Sequence, residues 1–70
     1  LVKSYNGKIF FIDDLAPHII SSKLEVKRAT TIHYISDERL SKLAKTPKEA
    51  DFRANSWKEI YNFIEDEIKR

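Results

Sequence analysis

The chain has no cysteine and no methionine. Disulfides, thiolate metal ligands and cysteine redox chemistry are therefore excluded. A lack of cysteine is compatible with the cytosol, and a cytoplasmic protein is expected. Gly7 is the sole glycine. That removes a Gly-rich phosphate loop, and it removes the nucleophile elbow that Ser21-Ser22 would need. No apolar run approaches the roughly 20 residues required to span a bilayer, so no membrane is expected as a partner. Residues 1–6 do not resemble a signal peptide, and a start without Met leads to the expectation that the true N-terminus lies upstream.

Charge of one sign is also missing. Thirteen basic residues face 11 acidic ones, a net charge of +2. The pI of about 9.0 looks basic, yet a nucleic-acid binder concentrates its positive charge on one face. Lys23, Lys27 and Arg28 are the nearest thing to such a cluster, and Glu25 interrupts it. A solvated mixed-charge surface is expected, with nucleic acid an unlikely partner.

What is present fits one small globular domain over residues 1–70, with 41% apolar and 34% charged residues. At this size the core is marginal unless something outside the chain adds to it. The stretch Lys8-Ile9-Phe10-Phe11-Ile12-Asp13-Asp14 organises the rest. Its unbroken β-branched and aromatic run predicts a strand buried on both faces, ending at two adjacent carboxylates. In open parallel sheets ligands bind just beyond such strand ends. The two acids are therefore either a helix cap or part of a cation site.

Residues 1–5 suit the last turn of a helix, and Asn6-Gly7 is a turn signal that fits a helix C-terminus as well as a hairpin. After the strand, Asp14 is placed to cap a helix over about 15–24, with Pro17 in its first turn and Leu15, Ile19, Ile20 and Leu24 as its apolar stripe. Residues 29–35, ATTIHYI, predict a second strand. The 16 residues between the strands are too many for a tight hairpin and enough for a helical crossover, so the unit is expected to be a parallel βαβ. Ser36 or Asp37 caps a short helix over about 38–45 with Leu40, Leu43 and Ala44 facing inward, ended by Thr46-Pro47. Residues 50–54 suggest a short edge strand. Ser56 and Glu59 match a capping box, and Trp57, Ile60, Tyr61, Ile64 and Ile68 share one face of a closing helix. The fold class expected is α/β in the order β-α-β-α-(short β)-α.

Asp13 and Asp14 are the leading candidates for a site. A hard cation such as Mg²⁺ takes one or two carboxylates plus water and substrate phosphate, and a strand end can hold a carboxylate fixed. His18 lies four residues after Asp14 and would share a helix face with it, a pair that could bind a transition metal or act as acid and base. No third ligand has a convincing spacing. His33, inside a strand, is expected to be a hydrogen-bonded, partly buried histidine and not a catalyst. The aromatic residues are expected in the core, not on a base-stacking platform.

KIFFIDDLAPHI resembles the fourth conserved motif of the haloacid dehalogenase-like (HAD) hydrolases, an apolar strand ending in acidic residues. ATTIHYISDERLSKLAK is similar to the next strand and helix of a bacterial subgroup, and ADFRANSWKEIYNFIEDEI to its closing strand and helix. The resemblance covers residues 7–68 in order. It implies the C-terminal portion of a Rossmann-like parallel sheet, with Asp13 as a Mg²⁺ ligand and Asp14 as a second or water-mediated one.

The nucleophile motif of that family, Asp-x-Asp, has no counterpart here, and its Ser/Thr and Lys motifs should also lie upstream; Lys3 is too close to the strand to be that Lys. Phosphoryl transfer in such enzymes needs nucleophile, Lys and metal together. The resemblance thus implies a fragment of a Mg²⁺-dependent phosphohydrolase without activity alone. A central strand with an unpaired edge leads to the expectation of self-association, or docking to a complementary N-terminal fragment. The alternative is a small stand-alone interaction module that offers its amphipathic C-terminal helix to a partner.

Overall fold

The computed structural model describes residues 1–69. It is an α/β unit of four strands and three helices: β1 (Val2–Tyr5), β2 (Lys8–Asp13), α1 (Ala16–Glu25), β3 (Thr30–Tyr34), α2 (Glu38–Leu43), β4 (Phe52–Ala54) and α3 (Trp57–Lys69). The sheet order is β1-β2-β3-β4. Strands β2, β3 and β4 run parallel, while β1 is antiparallel to β2, so the sheet is mixed and not wholly parallel.

The N-terminal segment corrects the expected helical turn. Asn6 and Gly7 both take positive φ, +50° and +80°, the backbone sense of a two-residue hairpin turn whose twist matches its strands. Tyr5 then pairs with Lys8 and Val2 with Phe11. Five residues cannot sustain a helix alone, whereas a strand satisfies the β2 edge, and the Tyr5 ring lies 6.3 Å from Phe10. The long unpaired edge expected on β2 is accordingly filled from within the chain.

Strand side chains alternate between faces. On one face Phe10, Ile12, Ile32 and Ala54 form the core with Ile60 and Ile64 of α3, flanked by Tyr34, Phe52, Phe63 and Ile68. Phe52 stacks on Phe63 at 4.2 Å. Helix α1 packs on β2 and β3, burying Ile19, while Leu15 and Leu24 of its expected stripe stay exposed. Thr31 and His33, next to Ile32 and on the opposite face to it, are buried as well. The crossover from β2 through α1 to β3 is the expected parallel βαβ.

Helix α3 is a core element and not a detachable arm. Its buried stripe is rotated from the expected one: Ile60 and Ile64 are buried, but Trp57 and Tyr61 lie at the edge, 38% and 53% exposed. The capping box is half formed. The Glu59 amide donates to Ser56 Oγ at 3.3 Å, while the Glu59 carboxylate accepts from Asn55 N instead of Ser56 N. Helix α2 departs further, because it buries nothing and Leu40 and Leu43 face water at 59% and 80% exposure. It is too short to own an apolar stripe and is held by its ends. Asp37 accepts from the Arg39 and Leu40 amides at 2.8 and 3.2 Å. At the other end the Arg53 guanidinium donates to the carbonyls of Ser41 and Ala44.

These differences in burial separate two substitutions of similar chemistry. Ile60→Ala is expected to cost about 2–4 kcal/mol, a large share of the stability of so small a domain. Leu43→Ala should stay within about 0.5 kcal/mol. Urea unfolding followed by circular dichroism checks both.

Candidate functional site

Parallel pairing of β2 with β3 aligns Asp13 with His33, and that of β3 with β4 aligns Tyr34 with Ala54. All three strands therefore end at the same side of the sheet. A cleft of about 560 Å³ opens there. Ile12 to Leu15 from the end of β2 and Tyr34 to Asp37 from the end of β3 form most of it, with Leu40 and Ala44 of the α2 segment and Trp57 closing the rim. This is the position at which open α/β sheets take ligands.

Asp13 and Asp14 both line the cleft, as the sequence suggests, but their roles are exchanged. Asp14 does not cap α1. The N-cap residue is Leu15, which has no side-chain cap bond. Instead Asp13 turns back on the chain, its Oδ1 accepting from the Leu15 amide at 2.9 Å. Its Oδ2 lies 3.1 Å from His18 Nδ1. His18 thus meets Asp13, not Asp14, because Asp13 sits outside the helix and its side chain folds over the first turn. The Asp14 side chain is exposed and has no N–H donor among the described residues, its side-chain neighbour being the Asp13 carboxyl.

Burial pushes the Asp13 pKa upward, but the Leu15 amide and hydrogen bonds with the His18 and Asp14 side chains outweigh it and leave the group below its ordinary value. The carboxylate form is the one the turn is built on.

His33 is fully buried. Its Nε2 lies 3.1 Å from the Asp14 carbonyl, which can only accept, so Nε2 carries a proton. Nδ1 is 3.0 Å from Thr46 Oγ1, which in turn accepts from Arg53 at 3.2 Å. The ring ties the end of β2 to the loop after α2, a positioning role in keeping with the expectation of a hydrogen-bonded histidine. Sequence reasoning passed over Arg53 and Thr46. Arg53 sits between Phe52 and Ala54 in a weak three-residue strand, and its partners are the Ser41 and Ala44 carbonyls and the Ser41 and Thr46 hydroxyls, which no spacing rule identifies.

Two carboxylates at one strand end are a donor set that Mg²⁺ accepts when water and a phosphate fill its other positions. Asp14 is free to bind, and Asp13 retains lone pairs beyond those facing Leu15 and His18. Among the described residues no group of three His, Cys, Asp or Glu could hold a metal ion. The residues fit part of such a site. No described helix is long and apolar enough to cross a membrane.

A depressed carboxylate contributes stability above its unfolded pKa and loses it as pH falls through the lower folded value. Asp13→Asn should therefore be less stable than the parent at pH 7. The gap should close as pH falls below about 4, the ordinary range of the group. Parallel urea titrations across that interval measure it. Arg53→Met should speed amide exchange over residues 38–43 at least tenfold while the sheet amides keep their protection, since α2 has no buried side chain to hold it.

No family model, curated protein or solved structure matches the chain.

Proposed function

We propose that the chain is the C-terminal part of a HAD-like phosphohydrolase core, carrying the acidic lip of a Mg²⁺-dependent site and no turnover of its own. The observation that supports this reading is the placement of Asp13 and Asp14 at the carboxyl end of a parallel strand, on the rim of a cleft. On this reading β2, β3 and β4 belong to a Rossmann-like sheet. Asp14 supplies an exposed carboxylate beside that of Asp13, Asp13 a second one oriented by Leu15 and His18, and His33 braces the turn from beneath. The nucleophile and the charge-neutralising Lys come from outside the chain. Their absence costs more than affinity, because phosphoryl transfer rests on holding nucleophile, metal and phosphate together.

The partner under this reading is a complementary N-terminal fragment. Its strand would add to the β2 edge that β1 now covers, with four residues of antiparallel pairing to displace. A cytoplasmic location goes with such an assembly.

A second reading, a stand-alone interaction module, draws on the exposure of Leu40 and Leu43. It would use α2 and not α3, whose Ile60 and Ile64 are committed to the core.

The test is p-nitrophenyl phosphate with Mg²⁺, together with a thermal melt in the presence and absence of the ion. No turnover above buffer is expected, with a Mg²⁺-dependent rise in Tm that is lost in the Asp13→Asn/Asp14→Asn double variant. Turnover that disappears in Asp13→Ala would show that this chain holds a complete site. A melt indifferent to Mg²⁺ would remove the metal from the reading.

A further inference from the structure

The cleft at the strand ends is selective in its chemistry. Ile12, Leu15, Tyr34, Leu40 and Trp57 make its surface largely apolar. Three carboxylates line it, Asp13, Asp14 and Asp37, against one cation, the Leu1 α-ammonium, which donates to the Ile12 carbonyl at 2.9 Å; no Lys or Arg takes part. Two of the three are occupied, Asp13 by the Leu15 amide and His18, and Asp37 by the Arg39 and Leu40 amides. Asp14 alone has no N–H donor among the described residues; its side-chain neighbour is the Asp13 carboxyl. Trp57 is held against Tyr34 at 5.2 Å and still leaves 38% of its surface open.

Size and charge together narrow the occupant. About 560 Å³ falls within the roughly 300–1,000 Å³ of small-molecule sites. An anion would face three carboxylates against a single ammonium already bonded to the Ile12 carbonyl. A neutral apolar molecule would strip water from Asp14 and give it nothing in return. A second copy of the same face would set like charges against each other, which disfavours a symmetric dimer through the cleft. A cation with an apolar body meets none of these penalties, and the partly exposed Trp57 indole on the cleft rim adds attraction for positive charge.

We propose that the cleft binds a small organic cation, an aralkylammonium ion whose ring rests among Trp57, Leu15 and Leu40 and whose ammonium group is held by Asp14. This binding requires neither metal nor a second chain, so it stands apart from the phosphohydrolase reading.

The experiment titrates 2-phenylethylammonium into the ¹⁵N-labelled chain and follows amide and indole resonances; Trp57, the sole tryptophan, gives one indole signal. Saturable shifts are expected at the Trp57 indole and at the Asp14 and Leu15 amides. Affinity should fall about tenfold for 2-phenylethanol, which keeps the ring without the charge, and as much for methylammonium, which keeps the charge without the ring. Asp14→Asn should weaken binding about fivefold or more with resonances beyond residues 13–18 intact, since Asp14 is exposed and an amide can still meet Asp13. Equal affinity for 2-phenylethanol, an unchanged Asp14→Asn, shifts confined to other surfaces, or no saturation would each overturn the proposal. A separate Mg²⁺ titration keeps the two readings distinguishable. Mg²⁺ shifts at Asp13 and Asp14 without amine binding would remove only the present proposal, and the converse only the metal.

Discussion

Two parallel strands cannot be joined by a tight turn, and that constraint on β2 and β3 arranges most of the chain. The crossover must carry a helix, which lays α1 over the sheet and buries Ile19. The same pairing sets Ile12 beside Ile32 and Asp13 beside His33. The first match seeds the core that α3 covers with Ile60 and Ile64. The second brings the acidic end of β2 over a buried imidazole. Core and cleft are thus two consequences of one register, since a slip of one residue would send Ile12 to the other face and the Asp13 side chain with it.

The polar groups near the cleft form a connected support and not a scatter of surface charge. His33 holds the Asp14 carbonyl, Thr46 holds His33, and Arg53 holds Thr46 together with the end of α2. Asn55 adds a bond to the Ile35 carbonyl at 2.9 Å. On the other side of the sheet's centre, Asp51 collects the Thr31 amide and Lys23 at 2.9 and 2.7 Å, fixing where β4 begins. A small domain gains little from apolar burial alone. Here partly buried hydrogen bonds position the segments that the core does not reach.

Much of the fold was legible because it rests on local patterns. The apolar run of β2, the β-branched run of β3, the 16-residue spacing between them and the 3.6 period of α3 each point to one arrangement. Asp37 as the cap of α2 follows from residue type alone. The errors have physical causes. Asn6-Gly7 allows a hairpin or a helix end, and only the presence of a strand edge to pair with decides between them. Hydrophobicity points Leu40 and Leu43 inward, but six helical residues between two loops have no sheet face to meet. The site was half legible. Both acids line the cleft, yet which of them would be spent on the turn depends on a side-chain rotation that no sequence spacing encodes.

On the proposed function and the proposed amine site alike, the carboxyl end of β2 is where this chain would meet a cation, whether Mg²⁺ or an organic ammonium ion. Paramagnetic broadening by Mn²⁺, a stand-in for Mg²⁺ with the same taste for oxygen ligands, tests that location residue by residue. The amides of residues 13–15 and 34–37 should lose intensity first, at metal concentrations that leave the acidic face of α3 sharp. Broadening that begins at Glu65, Asp66 and Glu67, or spreads evenly over all carboxylates, would contradict it.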